Sequence, residues 1–417
     1  MKKIITFLIL LIIPINIYAI ELSELYSPNV LIYDLTDNEI LYKKNSDKKI
    51  NIASLTKIMT TITAIEKIDD LNDTVTFKEE MLSGLPSDAS LANLVVGDNY
   101  TYEDLLYASI LPSGADATQA LAISLSGSVS KFVNDMNDLA KKIGLNNSHF
   151  VNVTGLDIEN HYSTLDDILK LLKYSLNNNL FETIYKTKEH TLTTGLLVES
   201  TIKKYNKFMN LDTSRIVGSK TGNTNIAGLC MSQLFVSDNH EMISITTGAK
   251  YVWGNFYNLK DALNIIDYVD DNYDEVTIIP KDELIKKIKI NNSEEYNIYP
   301  SEDVTYFIEL PKEKDKISYN YDGLENLTHK NKKNDVIGKI NYYYDDNLIK
   351  SEEVKLNEDI PMTFNNIVQE NLILIIILIV ILFLVVKIIK KQKRRKRRRK
   401  KIWWLFSSII FFSKFSI

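Results

Sequence analysis

Two short runs carry reactive groups at spacings that chemistry can use: Ser54-Leu55-Thr56-Lys57 and Lys220-Thr221-Gly222. On a helix, the i, i+3 spacing of Ser54 and Lys57 puts a hydroxyl and an amine on one face. Burial against Ile52, Ile58 and Met59 is expected to disfavour the ammonium form of Lys57 and make its amine a usable base. A helix N-terminus also favours negative charge that develops beside it. The pair describes a serine nucleophile that loses its proton to lysine, which is acyl-transfer chemistry. Ser-x-x-Lys is cheap in this chain, because it also begins at Ser46, Ser128 and Ser200. For any copy the plain alternative is a serine that caps a helix beside an outward lysine. Only Ser54 is expected to head a long buried helix.

Lys-Thr-Gly occurs once. On a strand, Lys220 and Gly222 share one face and Thr221 takes the other. Lys220 adds positive potential beside Lys57 and toward a ligand carboxylate. Gly222 lets a peptide backbone approach the strand edge, and Thr221 can hydrogen-bond it. Between the two runs, Pro112 should stop the apolar helix Leu105 to Leu111 and leave Ser113-Gly114 in a turn.

The elements that must hold these groups follow from periodicity. Leu55, Ile58, Met59, Ile62, Ile65 and Ile68 recur at helical spacing. Further helices are expected through Ala117 to Ile123, Phe132 to Ile143, Leu165 to Leu176 and Leu259 to Val269. Strands are expected at Val30 to Tyr33 and Glu39 to Tyr42, then at Ile216 to Thr221, Cys230 to Val236 and Met242 to Thr247. Strands at both ends with helices between them give an α+β architecture, the terminal segments joining one antiparallel sheet. From Glu275 short strands alone remain, at Val276 to Ile279, Ile285 to Ile290, Thr305 to Leu310, Ile317 to Tyr321 and Ile337 to Tyr344. They predict a small all-β sandwich.

The ends carry targeting signals. Lys2 and Lys3 precede an apolar run, and Ala19 supplies a small residue at a cleavage point, so 1–19 reads as a signal peptide. Leu372 to Val386 is unbroken Leu, Ile, Val and Phe, and a basic block follows at once. The expected organisation is a catalytic domain over 20–270, an all-β domain over 275–360, a transmembrane helix over 371–389 and a basic cytoplasmic tail over 390–417. All 54 acidic residues lie between Glu21 and Glu370, whereas Lys387 to Lys401 holds twelve bases and no acid. The segment from Glu21 to Glu370 has 34 bases against its 54 acids, a net charge of −20. Such a surface does not suit nucleic acid, and the basic block beside the span suits an anionic lipid surface and a cytoplasmic position. A single pass with the acidic part outside the cell membrane follows. Aromatic and apolar residues from Trp403 onward read as an interfacial tail. Cys230 is the sole cysteine and reads as strand packing, and the five histidines show no metal-ligand spacing. No metal or cofactor is expected.

Taken together, Ser54-x-x-Lys57, Ser113-Gly114-Ala115 and Lys220-Thr221-Gly222 resemble, in order, the motifs of serine D-alanyl-D-alanine carboxypeptidases, the low-molecular-mass penicillin-binding proteins. Ala53 to Thr60 and Gly218 to Thr224 are similar to that family well beyond the motifs, as are Phe150 to Leu156 and His161 to Asp167. The resemblance implies a DD-peptidase fold followed by a β domain and an anchor. It implies that Ser54 forms an acyl-enzyme with a peptidoglycan stem peptide, that Lys57 takes its proton, and that Ser113 relays a proton to the departing D-alanine. Lys220, Thr221, Gly222 and Asn223 bind substrate in this reading, with the N–H groups of Ser54 and Asn223 as oxyanion donors. β-Lactams are the implied inhibitors. The family's middle motif is Ser-x-Asn, so Ala115 lacks an amide that would bridge the lysine pair and a substrate carbonyl. A family arginine is also replaced by Asn255. A catalytically impaired, wall-binding or regulatory homologue is the alternative that Ala115 keeps open. A β-lactamase ranks behind both, since no deacylating glutamate stands out.

Overall fold

The computed structural model describes residues 22–291, 294–311 and 314–413. The signal peptide expected over 1–19 lies outside the described residues. The chain divides into two compact units, Met1–Glu275 with Phe307–Lys312, and Val276–Tyr306 with Glu313–Ile417.

In the first unit, alternation of apolar side chains builds a sheet that is buried on both faces. Five antiparallel strands lie in the order Glu39–Lys44, Asn29–Asp34, His240–Ala249, Gly228–Ser237, Ile216–Thr224. The early strands and the later meander thus enter one sheet, as the α+β reading requires. Along Asn29–Asp34, Leu31 and Tyr33 pack into a core shared with the helices, while Val30 and Ile32 face a second core. The second core is closed by the helix Tyr257–Asn272 through Leu259, Ile265, Ile266 and Val269. Strands covered on both faces must be apolar throughout, which is why Val30-Leu31-Ile32-Tyr33 is an unbroken run.

The helical side holds Thr56–Ile65, Tyr102–Ile110, Ala115–Ser126, Val129–Lys142, Leu165–Leu176 and Asn179–Lys186. Capping sets their starts. Thr101 and Asp104 form a reciprocal capping box, and Ser128, Thr164 and Asn178 each accept a backbone N–H from the first turn of the helix they precede. The helix after Ser54 ends at Ile65 and not at Ile68, and the chain leaves it through a tighter turn in which Lys67 N–H bonds the Ala64 carbonyl three residues back. The helix Thr201–Met209 was not expected. It is polar apart from Ile202, Tyr205, Phe208 and Met209, and it packs its one buried residue, Ile202, on the second core.

The second unit is all-β until its last residues. One sheet orders Glu294–Ile298, Lys286–Ile290 and Asn326–Leu327, and another orders Ile317–Gly323, Val336–Tyr344 and Asn347–Lys355. Ile288, Ile298, Val304, Leu327, Ile340 and Tyr342 are among its buried core. Helices Phe364–Glu370 and Leu372–Ser413 follow. Among the described residues, one helix, within Leu372–Leu405, is long and apolar enough to cross a membrane. It runs without a break through the basic block, and the aromatic stretch from Trp403 continues the same helix.

Leu31 and Ile32 are neighbours on opposite faces of the sheet, and each is 0% exposed. Leu31→Ala and Ile32→Ala should each lower the unfolding free energy by about 2–5 kcal/mol in urea titrations. A loss under about 1 kcal/mol for either would contradict a sheet with two cores.

Candidate active site

The chain enters its first long helix through one 3-10 turn, Ala53–Leu55, and this turn carries Ser54. Ala53 has φ +46°, a left-handed conformation that costs a residue with a Cβ about 1–2 kcal/mol. Ser54 stands half-buried in a cleft of about 890 Å³, and Lys57 also lines it. Lys57 is 2% exposed, with Nζ 2.9 Å from Ser54 Oγ. Its Nζ donates to the Thr154 carbonyl oxygen at 2.8 Å. Burial, opposed in part by the Asp116 carboxylate, brings the Lys57 amine down to about 7. A large fraction is therefore unprotonated at neutral pH, with a lone pair free to accept the serine proton.

The other three Ser-x-x-Lys copies are structural. Ser128 and Ser200 are helix N-caps that accept from the N–H of Lys131 and Lys203, and Ser46 donates to the Asp166 carboxylate. Ser54 makes no capping bond and pairs with the lysine of its own motif.

Lys220-Thr221-Gly222 lies on the sheet's edge strand, Ile216–Thr224. Lys220 is 1% exposed, donates to the Thr221 carbonyl at 2.8 Å, and is held well below the ordinary lysine range by burial and by Lys57. Thr221 Oγ1 is 2.5 Å from Thr201 Oγ1. Gly222 also serves the packing of the strand. A Cβ there would come within 2.8 Å of the Ser54 amide nitrogen and 2.9 Å of Ala53 Cβ, so the bare Cα lets the strand reach the Ser54 turn. Asn223 lines the cleft with Ser54 and Lys57, while Lys220, Thr221 and Ser113 are buried and are not among its lining residues. Ser113 sits at φ +64°, 3% exposed, and its hydroxyl makes no hydrogen bond among the described residues.

Several residues that shape the site were not singled out from sequence. Asn152 Oδ1 accepts from the N–H groups of Thr154 at 3.1 Å and Gly155 at 2.7 Å, and its Nδ2 donates to the Leu156 carbonyl at 2.9 Å. This knot aims the Thr154 carbonyl at Lys57. Gly155, at φ +84°, leaves room for the nucleophile turn, since a Cβ would lie 1.9 Å from the Ala53 oxygen. The buried Asp116 carboxylate accepts from the N–H groups of Ala92, Leu94 and Ala117, tying down the segment that walls one side of the cleft. Ala115 adjoins that wall, its N–H donating to the Ser90 carbonyl at 2.8 Å. Asp157 accepts from Thr224 Oγ1 and Ile226 N–H, joining the edge strand's end to the loop after Thr154. In the sequence these residues fall within Phe150 to Leu156, similar to the family, but that likeness gave none of them a role. Cys230 is fully buried in its strand, its thiol pushed up to about 12 by burial, in keeping with a packing role.

With this geometry in view, comparison with known proteins is decisive. A family model described as D-alanyl-D-alanine carboxypeptidase matches residues 18–251, more than half the chain. The chain belongs to the D-alanyl-D-alanine carboxypeptidase family. A second model, the C-terminal domain of penicillin-binding protein 5, matches residues 273–362. The chain is 30% identical to D-alanyl-D-alanine carboxypeptidase DacF of Bacillus subtilis over 62% of its own length and 65% of that relative. It therefore spans just under two thirds of that protein. It is 33% identical to a D-alanyl-D-alanine carboxypeptidase of Streptomyces sp. strain K15, over 46% of this chain and 70% of the relative. Penicillin-binding protein 5 of Haemophilus influenzae aligns in three dimensions with TM-score 0.58 and 25% identity, covering 81% of this chain and 98% of that one. The DD-peptidase fold with a following β domain is thereby established for this carboxypeptidase-family chain.

Two outcomes follow from the geometry. Labelling of Ser54 by a penicillin should accelerate as pH rises, reach half its maximum near the Lys57 value of about 7, and level off above it. A rate that is flat from about pH 5.5 to 8.5 would exclude Lys57 as the base. Gly155→Ala should slow the same labelling by about 100-fold, because its methyl must displace the Ala53 carbonyl and with it Ser54.

Proposed function

We propose that this chain is a serine-type D-Ala-D-Ala carboxypeptidase that removes the terminal D-alanine from peptidoglycan stem peptides. The observation that carries the proposal is the partly exposed Ser54 hydroxyl 2.9 Å from a buried lysine amine near neutrality. Ser54 Oγ attacks the carbonyl of the penultimate D-alanine while Lys57 Nζ accepts its proton. The tetrahedral oxyanion is held by the N–H groups of Ser54 and Asn223, each worth about 3 kcal/mol in such sites. Collapse breaks the peptide bond, and Ser113 passes a proton to the departing amine. Water then hydrolyses the ester and releases the shortened peptide.

Lys220 and Thr221 orient the terminal carboxylate in this scheme. Lys220 is buried and poor at holding a proton in the free protein, so an arriving carboxylate restores its ammonium form by pairing with it. β-Lactams inhibit by acylating Ser54. The helix beginning at Leu372 anchors the protein in the cell membrane in a single pass, with the catalytic part on the extracytoplasmic side and the basic block in the cytoplasm. No role with nucleic acid is proposed.

Ala115 supports a second reading, a penicillin-binding homologue with little peptide turnover and a wall-binding or regulatory role. D-alanine release from a stem pentapeptide decides between them. The first reading expects steady release that Ser54→Ala abolishes, and faster release with Ala115→Asn. Stoichiometric labelling by a fluorescent penicillin without D-alanine release would select the second. Absence of both would end either reading.

A further inference from the structure

Behind the nucleophile turn lies a buried polar chain that the proposed reaction does not use. His161 is 3% exposed, and its Nε2 is 2.8 Å from Thr56 Oγ1. Its Nδ1 accepts the Val151 N–H at 3.1 Å, which places the ring proton on Nε2 and makes Nε2–H the donor to Thr56. The Thr56 hydroxyl, thus supplied with a donor, gives its own proton to the Ala53 carbonyl at 2.9 Å. Ala53 is the strained residue that turns the chain into Ser54. The relay is dry: Thr56 is 0% exposed and Phe150 meets the imidazole edge-on at 5.8 Å. Burial holds the ring neutral, its conjugate acid near 4, so the donor pattern does not change around neutral pH.

We infer that His161 is a positioning residue for Ser54: through Thr56 it fixes the Ala53 carbonyl and so the place of the Ser54 hydroxyl and amide. A peptide unit has one plane, so the direction of the Ala53 carbonyl sets the direction of the Ser54 N–H. The Thr56 backbone N–H also reaches the Ala53 carbonyl, and the relay adds a second donor to the same oxygen against relaxation of the left-handed φ at Ala53. His161 touches neither Ser54 nor the cleft, which separates it from the reacting groups.

The inference rests on Ser54 being the acylated residue, and the test separates the two ideas by two measurements on the full-length protein. The first is labelling by a fluorescent penicillin, resolved into the initial dissociation constant and the acylation rate constant. His161→Ala should lower the rate constant by about 10- to 100-fold and leave the dissociation constant within about twofold. His161→Gln, whose terminal amide N–H can take the place of Nε2–H, should recover most of the rate. Thr56→Val should match His161→Ala, and the double variant should be no slower than either, because both break one chain. The second is hydrogen exchange of the peptide spanning Ile52 to Ile58, which should quicken in His161→Ala and return toward wild type in His161→Gln. Wild-type acylation and exchange in His161→Ala would overturn the inference. So would a Gln variant as slow as the Ala variant with equal losses of melting temperature, which marks a packing role alone. A wild-type protein that penicillin does not label sinks the acyl-enzyme reading, and the exchange arm still decides the positioning role.

Discussion

Two lysines share one dry site, and most of the catalytic unit is arranged around that fact. Lys57 and Lys220 are 2% and 1% exposed. An ammonium taken out of water without full pairing is costly, and two such ions repel. Asp116 offers partial compensation to Lys57 and its carboxylate is already engaged by three N–H groups. The resolution is that the lysines give up protons in the fold that they keep in the unfolded chain. By linkage this costs stability at neutral pH, where the unfolded chain binds more protons, and the cost recedes as pH rises from about 7 toward the ordinary lysine range. A reactive amine is thus sustained at the expense of folding energy, and the surrounding structure has to make good the difference.

The two-sided sheet is what makes it good. Its cores on either face hold the edge strand Ile216–Thr224 rigidly against the turn at Ser54, two segments far apart in sequence. The contact is between backbones, so it needs glycine at 222 and again at 155, and it tolerates no side chain at either. A seam of backbone contacts excludes water from the lysines yet leaves Ser54 and Asn223 facing the cleft. Dryness below and access above are produced by the same close approach.

How much of this could be read from residues follows from what each signal depends on. The nucleophile helix, the meander strands and the all-β module announce themselves by period, because burial of one or two faces imposes it. Strands Glu294–Ile298 and Asn347–Lys355 escape that test, since the charged Glu294, Glu295, Lys350, Glu352 and Glu353 interrupt any apolar period. Selecting Ser54 among four Ser-x-x-Lys copies was possible because a capping serine and a paired serine head different kinds of helix. What was not legible were relations between distant backbones: the strain at Ala53, the bare faces of Gly155 and Gly222, and the Thr154 carbonyl as partner to Lys57. A carbonyl has no residue type, so no motif records it.

The same partner bears on Ala115, the departure from the family's middle motif. An asparagine there would bridge the lysine pair and a substrate carbonyl, serving two sides at once. On the protein side, Lys57 already holds the Thr154 carbonyl and the Ser54 hydroxyl, and Asp116 still supplies the nearest negative charge. The aim and basicity of Lys57 therefore do not wait on residue 115. Ala115 instead contributes a methyl to the cleft wall, beside the segment fixed by its own N–H to Ser90. In the proposed reaction the cost of the missing amide would fall on the peptide side, where one backbone carbonyl of the substrate would go without a donor. A β-lactam, whose strained amide brings its own reactivity, depends less on that donor than a stem peptide does.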